Sequence, residues 1–312
     1  MNKITIIGTG CVGATIGYTM TVMGLASEIV LIDINEEKAI GEAMDIRQGA
    51  PFCHPLNIYA GSYADAANSN IVIITSGMAR KANQSRLELA QANVDILKSV
   101  ADNVVKYAPN AIYIIVSNPV DVLTYVFCKH TGLPESRIIG SGTILDTSRL
   151  RTRIAENFSV NQKNVHAYVL GEHGDTSFVP WSTANISNVL VEDYQRKSIN
   201  KNLPPFDKDL VEKYVHESGA TIIRSKGATF YAVSASVSHL CKCILSGMDT
   251  ALTVSTMLHG EYGIDDVCLS LINILGTSGV IEKVMLPLND EEIRKLHISA
   301  DSLKAVIKNI KI

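Results

Sequence analysis

The sequence predicts an α/β protein, a doubly wound parallel sheet over residues 1–142 followed by a mixed α/β domain over 143–312. Two observations carry this reading. Short β-branched runs at 4–7, 29–32, 71–74 and 111–116 have the character of strands buried on both faces, and helical apolar spacing separates them. Strands alternating with helices pack as a parallel sheet. Beyond them, a helix over 211–226 and a long apolar helix over 230–246 precede strand-like runs at 251–258 and 266–274, which suits an antiparallel-rich second domain.

The first strand, Lys3-Ile4-Thr5-Ile6-Ile7, runs into Gly8-Thr9-Gly10-Cys11-Val12-Gly13. Val12, Ile16, Met20 and Met23 then fall at helical spacing until Gly24 stops the helix. The next run, Ile29-Val30-Leu31-Ile32, ends in Asp33, twenty residues beyond Gly13. Gly8 suits a tight turn, Gly10 lets the backbone approach a pyrophosphate, and Gly13 permits close helix–strand packing. The helix N-terminus offers unpaired N–H groups to phosphates. Asp33 would accept ribose hydroxyls and repel a 2′-phosphate, so the expected cofactor is NAD rather than NADP.

The rhythm continues. Residues 57–60 form a short strand, Ile71-Val72-Ile73-Ile74 runs into Thr75-Ser76-Gly77, and 111–116 runs into Ser117-Asn118-Pro119. Between the last two, Leu87, Ala90, Val94, Leu97, Ala101 and Val104 share a helix face. Ligands in such sheets bind beyond the carboxyl ends of the strands. Arg80, Lys81 and Arg86 fall in an irregular polar segment above those ends. Lys81 reads as solvated; Arg80 and Arg86 read equally as solvated or as a lid over an anionic substrate.

In the second half, Asp146 and Arg149 share a face of a helix starting near Leu145, either as a surface ion pair or as an orienting acid and a carboxylate clamp. A strand over 165–170 leads into Gly171-Glu172-His173-Gly174-Asp175. Flanking glycines leave the imidazole unshielded, and histidine titrates near neutrality. Alone, His173 reads as an ordinary turn histidine; the dinucleotide cradle, Asp146 and the spare arginines favour a proton donor and acceptor. Residues 185–201 are polar and ambiguous, and 202–205 form a surface loop. The chain closes on a helix with Leu303, Val306, Ile307 and Ile310 on one side. Trp181 belongs in the core.

Composition narrows the class. The 312 residues carry a net charge of −3, which argues against nucleic acid or anionic membrane as the main partner. No apolar run approaches the roughly 20 residues that span a bilayer. The chain enters its first strand without the basic, apolar and small-residue regions of a secretory leader, so a cytoplasmic location is expected. Cys11, Cys53, Cys128, Cys241, Cys243 and Cys268 are scattered and read as buried free thiols. His54, His130, His216, His239, His259 and His297 lack metal spacing and read as structural or solvated, so no metal is expected.

Taken together, the glycine turn, Asp33, Ser-Asn-Pro-Val-Asp at 117–121, Leu-Asp-Thr-Ser-Arg at 145–149 and Gly-Glu-His-Gly-Asp at 171–175 resemble the L-lactate/malate dehydrogenase family over essentially the whole chain. The resemblance implies an NAD-binding Rossmann domain followed by a substrate domain. It assigns His173 as acid/base, Asp146 as stabiliser of the imidazolium, Arg149 as holder of the substrate carboxylate and Arg86 as polariser of the carbonyl. Asn118 would bind substrate near the nicotinamide. Val12, Asp33, Lys38, Tyr63, Gly77, Ser99, Asn118 and Ser141 match cofactor-lining positions, beside Gly8, Gly10, Gly13 and Ser117. Arg80 stands where lactate enzymes carry Gln and malate enzymes carry Arg. Gly-Glu-His-Gly-Asp, the 142–146 run and Thr229 are lactate-like. Pyruvate is therefore the expected substrate, with oxaloacetate the alternative. Arg151 and His166 match a pair that binds fructose 1,6-bisphosphate between subunits, which implies an activator site and a homotetramer. An NAD-dependent glycosidase would need a metal site near the Asn-Pro turn, where only Cys128 and His130 stand close in sequence; a non-catalytic nucleotide sensor would not need His173.

Overall fold

The computed structural model describes residues 2–78, 85–197 and 203–312. Arg80, Lys81 and Asn202 lie outside the described residues, as does the side chain of Arg86. Six strands, β1 (Lys3–Ile7), β2 (Glu28–Ile32), β3 (Asn57–Ala60), β4 (Ile71–Ile74), β5 (Ile112–Ile115) and β6 (Ile138–Gly140), run parallel in the order β6-β5-β4-β1-β2-β3. The order reverses between β1 and β4. In this architecture that is where a crevice opens at the strand ends.

Strand alternation divides the core into two layers. Ile4, Ile6, Ile29, Leu31, Ile71 and Ile73 pack with Ile16 and Met20 of α1 (Cys11–Met23) and with Ala43 and Ile46 of α2 (Glu36–Gly49). Their neighbours Ile7, Val30, Val72, Ile74 and Ile115 pack on the other face against α3 (Arg86–Val104) and α4 (Val120–Thr131). On α3 the expected face is buried except at Leu87, which lies in the exposed first turn at 42% accessibility.

The second half contains α5 (Ile144–Phe158), β7 (Val165–His166), β8 (Asn185–Ile186), β9 (Val189–Leu190), α6 (Val191–Lys197), α7 (Lys208–Lys226), α8 (Tyr231–Ser246), β10 (Thr250–His259), β11 (Asp265–Gly276), β12 (Gly279–Val284) and α9 (Asp290–Ile307). The ambiguous 185–201 stretch thus begins with a small hairpin and a short helix. Strands β10 to β12 do not form a sheet of their own. They continue the parallel sheet antiparallel to β6, through Ser255 opposite Gly140, to give nine strands. A Cβ on Gly140 would come within 2.9 Å of the Ser255 Cβ, so a bare glycine lets β10 cover an otherwise open edge.

The strand expected over 165–170 pairs as a strand only at Val165–His166. Helix α5 captures the rest: the Val169 N–H donates to Thr147 Oγ1 at 2.9 Å, and the Val169 carbonyl accepts from Thr143 Oγ1 at 2.5 Å. Side chains satisfy the backbone there, in place of a neighbouring strand. Leu170 then bridges Phe178, and Gly171 bridges Ser270 of β11. The turn that carries His173 is thereby tied to the main sheet. The thiols also differ from expectation: Cys128, Cys241, Cys243 and Cys268 are buried, but Cys11 is exposed at the start of α1 and Cys53 is partly exposed. Trp181 is buried as expected. Among the described residues, no helix is long and apolar enough to cross a membrane.

Candidate active site

Two cavities of about 620 Å³ each open at the carboxyl ends of the parallel strands. Gly8, Gly10, Asp33, Lys38, Tyr63, Gly77 and Ser99 line the first. Gly8 turns the chain at φ +98°, in the left-handed region, and a Cβ on Gly13 would sit 1.9 Å from the Gly8 carbonyl oxygen. The start of α1 is thus pressed against the end of β1. Gly10 caps α1 without a side-chain hydrogen bond, and the space where its Cβ would stand is open. Exposed N–H groups and open room suit a dinucleotide pyrophosphate. Asp33 Oδ2 accepts from the Thr9 N–H at 2.6 Å and the Thr9 hydroxyl at 3.0 Å, and Oδ1 accepts from the Asn35 N–H at 2.9 Å. Burial opposes its charge, but the bonds from Asn35 and Thr9 and the nearby Lys38 outweigh burial and hold the carboxyl below its usual range. A fixed carboxylate at this end fits ribose hydroxyls. Ser141 is buried just past β6 and lines neither cavity.

The second cavity is walled by Val12, Ser117, Asn118, Asp146, Arg149, His173 and Thr229, and it shares Gly77 with the first. These sequence-predicted cofactor and substrate residues therefore meet in adjoining spaces. At Gly171 the backbone takes φ +94° as it leaves Ser270, and a Cβ there would lie 2.7 Å from Ser299 Oγ. Two residues on, His173 Nδ1 lies 2.6 Å from Asp146 Oδ2, while Arg149 Nη1 donates to Asp146 Oδ1 at 2.9 Å. Asp146 sits in the first turn of α5, where the helix end favours a carboxylate. Burial opposes charge on both members of the pair. For Asp146, the charges and hydrogen bonds of His173 and Arg149 outweigh burial and lower the carboxyl; for His173, Asp146 outweighs it and raises the imidazole. With Nδ1 committed to Asp146, Nε2 is the ring nitrogen left to exchange a proton within the cavity.

Three neighbours have roles the sequence did not reveal. Asp121, two residues past Pro119, is 3% exposed and accepts the backbone N–H of His173 on Oδ2 at 2.7 Å. Its Oδ1 has no hydrogen-bond partner among the described residues, and burial pushes the carboxyl up to about 6. His216, read as structural or solvated, is exposed on α7 but lines the second cavity, with Nε2 3.0 Å from Ser177 Oγ. Asn93 is buried on α3 and lines the same cavity. Asp121 lies inside the Ser-Asn-Pro-Val-Asp run, so a carboxylate opening an apolar helix was the available signal. The other two carried none.

Arg151 and His166 lie apart from both cavities. Arg151 Nε donates to the Ala167 carbonyl at 3.0 Å, its guanidinium lies 4.9 Å from the Tyr168 ring centroid, and it lines a third cavity with Lys163 and His239. His166, taken alone, reads as a core strand histidine; it is instead exposed on β7, the edge strand of the small sheet. Arg86 opens α3.

A family model described as lactate/malate dehydrogenase, NAD binding domain, matches residues 2–140, and one described as lactate/malate dehydrogenase, alpha/beta C-terminal domain, matches 143–311. Similar curated proteins include the L-lactate dehydrogenase of Acetivibrio thermocellus, 44% identical over 100% of this chain and 98% of the relative. That of Thermoanaerobacterium saccharolyticum is also 44% identical, over 100% of both chains. Among solved structures, the minor L-lactate dehydrogenase of Enterococcus mundtii superposes with a TM-score of 0.95 at 36% identity, covering 100% of this chain and 99% of that one.

Proposed function

Because the chain belongs to the lactate/malate dehydrogenase family, we propose that it interconverts pyruvate and L-lactate with NAD as cofactor. One observation carries the site assignment: a single buried carboxylate, Asp146, engages His173 at 2.6 Å and Arg149 at 2.9 Å in a cavity adjoining the glycine-lined crevice. NADH, when bound, supplies the hydride.

The chain's own residues do the rest. Arg149 holds the substrate carboxylate with a guanidinium oriented by Asp146. His173 enters the reduction protonated, favoured by its raised pKa, and Nε2 gives that proton to the keto oxygen. Asp146 stabilises the imidazolium before transfer, and again when Nε2 takes the proton back from the hydroxyl in the reverse reaction. Arg86 polarises the carbonyl, Asn118 and Thr229 orient the substrate, and Arg80 is the residue whose charge would favour a second carboxylate on the substrate. Gly8, Gly10 and Gly13 shape the pyrophosphate cradle, and Asp33 selects NAD. Val12, Lys38, Tyr63, Gly77, Ser99, Ser117 and Ser141 complete the cofactor-binding set.

The assembly is a homotetramer, with Arg151 and His166 binding fructose 1,6-bisphosphate as an activator. Support comes from the exposed imidazole of His166, beside a carbonyl that Arg151 already engages. Six unpaired cysteines suit a reducing cytoplasm.

The test is NADH oxidation with pyruvate and oxaloacetate in parallel, with and without fructose 1,6-bisphosphate. Preference for pyruvate, sharpened by the bisphosphate, supports the reading. A preference of about 100-fold for oxaloacetate would mean that Arg80 sets the substrate and would overturn the pyruvate assignment.

A further inference from the structure

Asn93 is a polar residue on the wrong face of its helix. It follows Ala90 by one turn of α3 and precedes Val94 and Leu97, all three buried, and it is itself only 3% exposed. A buried amide is costly unless its donors and acceptor are satisfied. Here the partners are backbone groups of two separate turns. Oδ1 accepts the Met78 N–H at 2.7 Å, while Nδ2 donates to the Asn118 carbonyl at 2.7 Å and to the Met78 carbonyl at 3.3 Å. An N–H can only be met by the amide oxygen, so the chemistry fixes which way the amide faces.

The two turns are those that follow β4 and β5. Gly77 and Met78 line both cavities, and Asn118 lines the catalytic one. A Cβ on Gly77 would lie 3.3 Å from Asn93 Oδ1 and 3.5 Å from the Ser117 Cβ, so the three segments are already in close packing. Ser117 Oγ, donating to the Ser76 carbonyl at 2.6 Å, ties the turns once more at the sheet. Asn93 ties them at the cavity. Helix α3 begins with Arg86, two turns before Asn93, so one helix spans the span from that arginine to the seam.

We propose that Asn93 is a positioning residue for hydride transfer. Its amide holds the Gly77–Met78 turn and the Asn118 turn at one separation, so that the cofactor side and the substrate side of the site stay aligned with His173. The inference rests on the dehydrogenase reading above. Misplacement by about 1 Å in such a site costs on the order of 100-fold in rate.

Two variants of the full-length protein test it. Asn93→Leu removes all three hydrogen bonds at similar volume. Asn93→Asp keeps the acceptor for Met78 but regains a donor toward Asn118 only when protonated. The measurements are the NADH dissociation constant by fluorescence, kcat and KM for pyruvate, thermal unfolding, and the deuterium isotope effect on kcat with NADH labelled at the transferred position. Wild-type turnover of pyruvate checks the underlying reading; its absence overturns that reading and this inference with it. Given wild-type turnover, folded variants should lose about 10- to 100-fold in kcat, keep NADH binding within about threefold, and show a larger isotope effect as hydride transfer becomes limiting. The deficit of Asn93→Asp should narrow as pH falls. Folded variants with kcat within about twofold of wild type, or with losses that follow weakened NADH binding alone, would overturn the positioning role and leave the dehydrogenase reading intact. Should Asn93→Leu not fold, the pH-dependent deficit of Asn93→Asp decides the matter by itself.

Discussion

Asp121 holds the backbone of His173 while Asp146 holds its ring: the His173 N–H donates to Asp121 Oδ2 at 2.7 Å, and Nδ1 meets Asp146 Oδ2 at 2.6 Å. The two carboxylates differ in state. Asp146 is held below its ordinary range because its neighbours outweigh its burial, whereas burial pushes Asp121 up to about 6. Asp146 therefore carries its charge at neutral pH, whereas Asp121 gains its charge only near pH 6.

Replacing Asp121 by Asn keeps an oxygen for the His173 N–H and removes that second charge. Asp121 favours the imidazolium, so without it the His173 pKa falls. In the proposed mechanism, pyruvate reduction needs protonated His173 and declines as pH rises through that pKa. The alkaline limb of kcat/KM for pyruvate should therefore move to lower pH. Activity should drop about two- to tenfold at pH 8 and change little at pH 6. An unchanged profile in a pH series with saturating NADH would show that Asp121 acts on the backbone alone.

The Asp146–His173 pair also links stability to pH. Asp146 is lowered from its ordinary 3.8, so its contribution is present above 3.8 and lost as pH falls through the depressed folded value. His173 is raised from 6.5, so its contribution is complete below 6.5 and lost as pH rises through the raised folded value. The pair therefore contributes most between 3.8 and 6.5. The gap in melting temperature between wild type and Asp146→Asn should be widest there and narrow above neutrality. At pH 7, kcat should fall by about 100- to 10,000-fold, as when an imidazole loses its orienting carboxylate. A gap constant from pH 5 to 9 would contradict the linkage.

What was readable in the chain was local. Gly8, Gly13 and Asp33 belong to one strand–turn–helix–strand unit, and His173 and Asp146 each sit in a short motif, so spacing and turn chemistry were enough. The partners of Asp121 and Asn93 are not local: His173 is 52 residues from Asp121, and Asn118 is 25 from Asn93. On an apolar helix face, such a polar residue reads only as an interruption until the fold supplies its partners. The 165–170 run failed as a continuous strand for a similar reason: hydroxyls of Thr143 and Thr147, more than twenty residues away, took its backbone bonds. The continuous nine-stranded sheet was hidden too, because Gly140 and Ser255, whose pairing joins its two halves, lie far apart in the chain.

The glycine cradle makes a prediction with a built-in control. A methyl at Gly13 would lie 1.9 Å from the Gly8 carbonyl oxygen and 2.8 Å from Thr75 Oγ1, so α1 must move away from the turn that carries Gly10. Gly13→Ala should lose about 3 kcal/mol of stability and most of its NADH affinity. Gly41, exposed within α2 with nothing within 4 Å of its would-be Cβ, should behave in the opposite way. Gly41→Ala should gain about 0.5 to 1 kcal/mol and leave NADH binding unchanged. Denaturant melts and fluorescence titration of both variants check the contrast; equal effects would remove the steric account of the cradle.

The proposed mechanism gives Arg149 two duties that one conservative substitution can separate. Its Nη1 donates to Asp146 Oδ1 at 2.9 Å, which leaves the rest of the guanidinium to grip a substrate carboxylate. Lysine keeps the charge but not the planar fork, so it can serve one oxygen at a time. Arg149→Lys should raise the KM for pyruvate by about 100-fold through the lost bidentate contact, while NADH binds as before. If lysine also releases Asp146, kcat falls as well, and the alkaline limb of the pH profile moves upward, because the positive charge that opposes the imidazolium is farther away. Steady-state kinetics at several pH values, with NADH titrated by fluorescence, resolve the two effects. Unchanged KM in a folded variant would remove Arg149 from the substrate site.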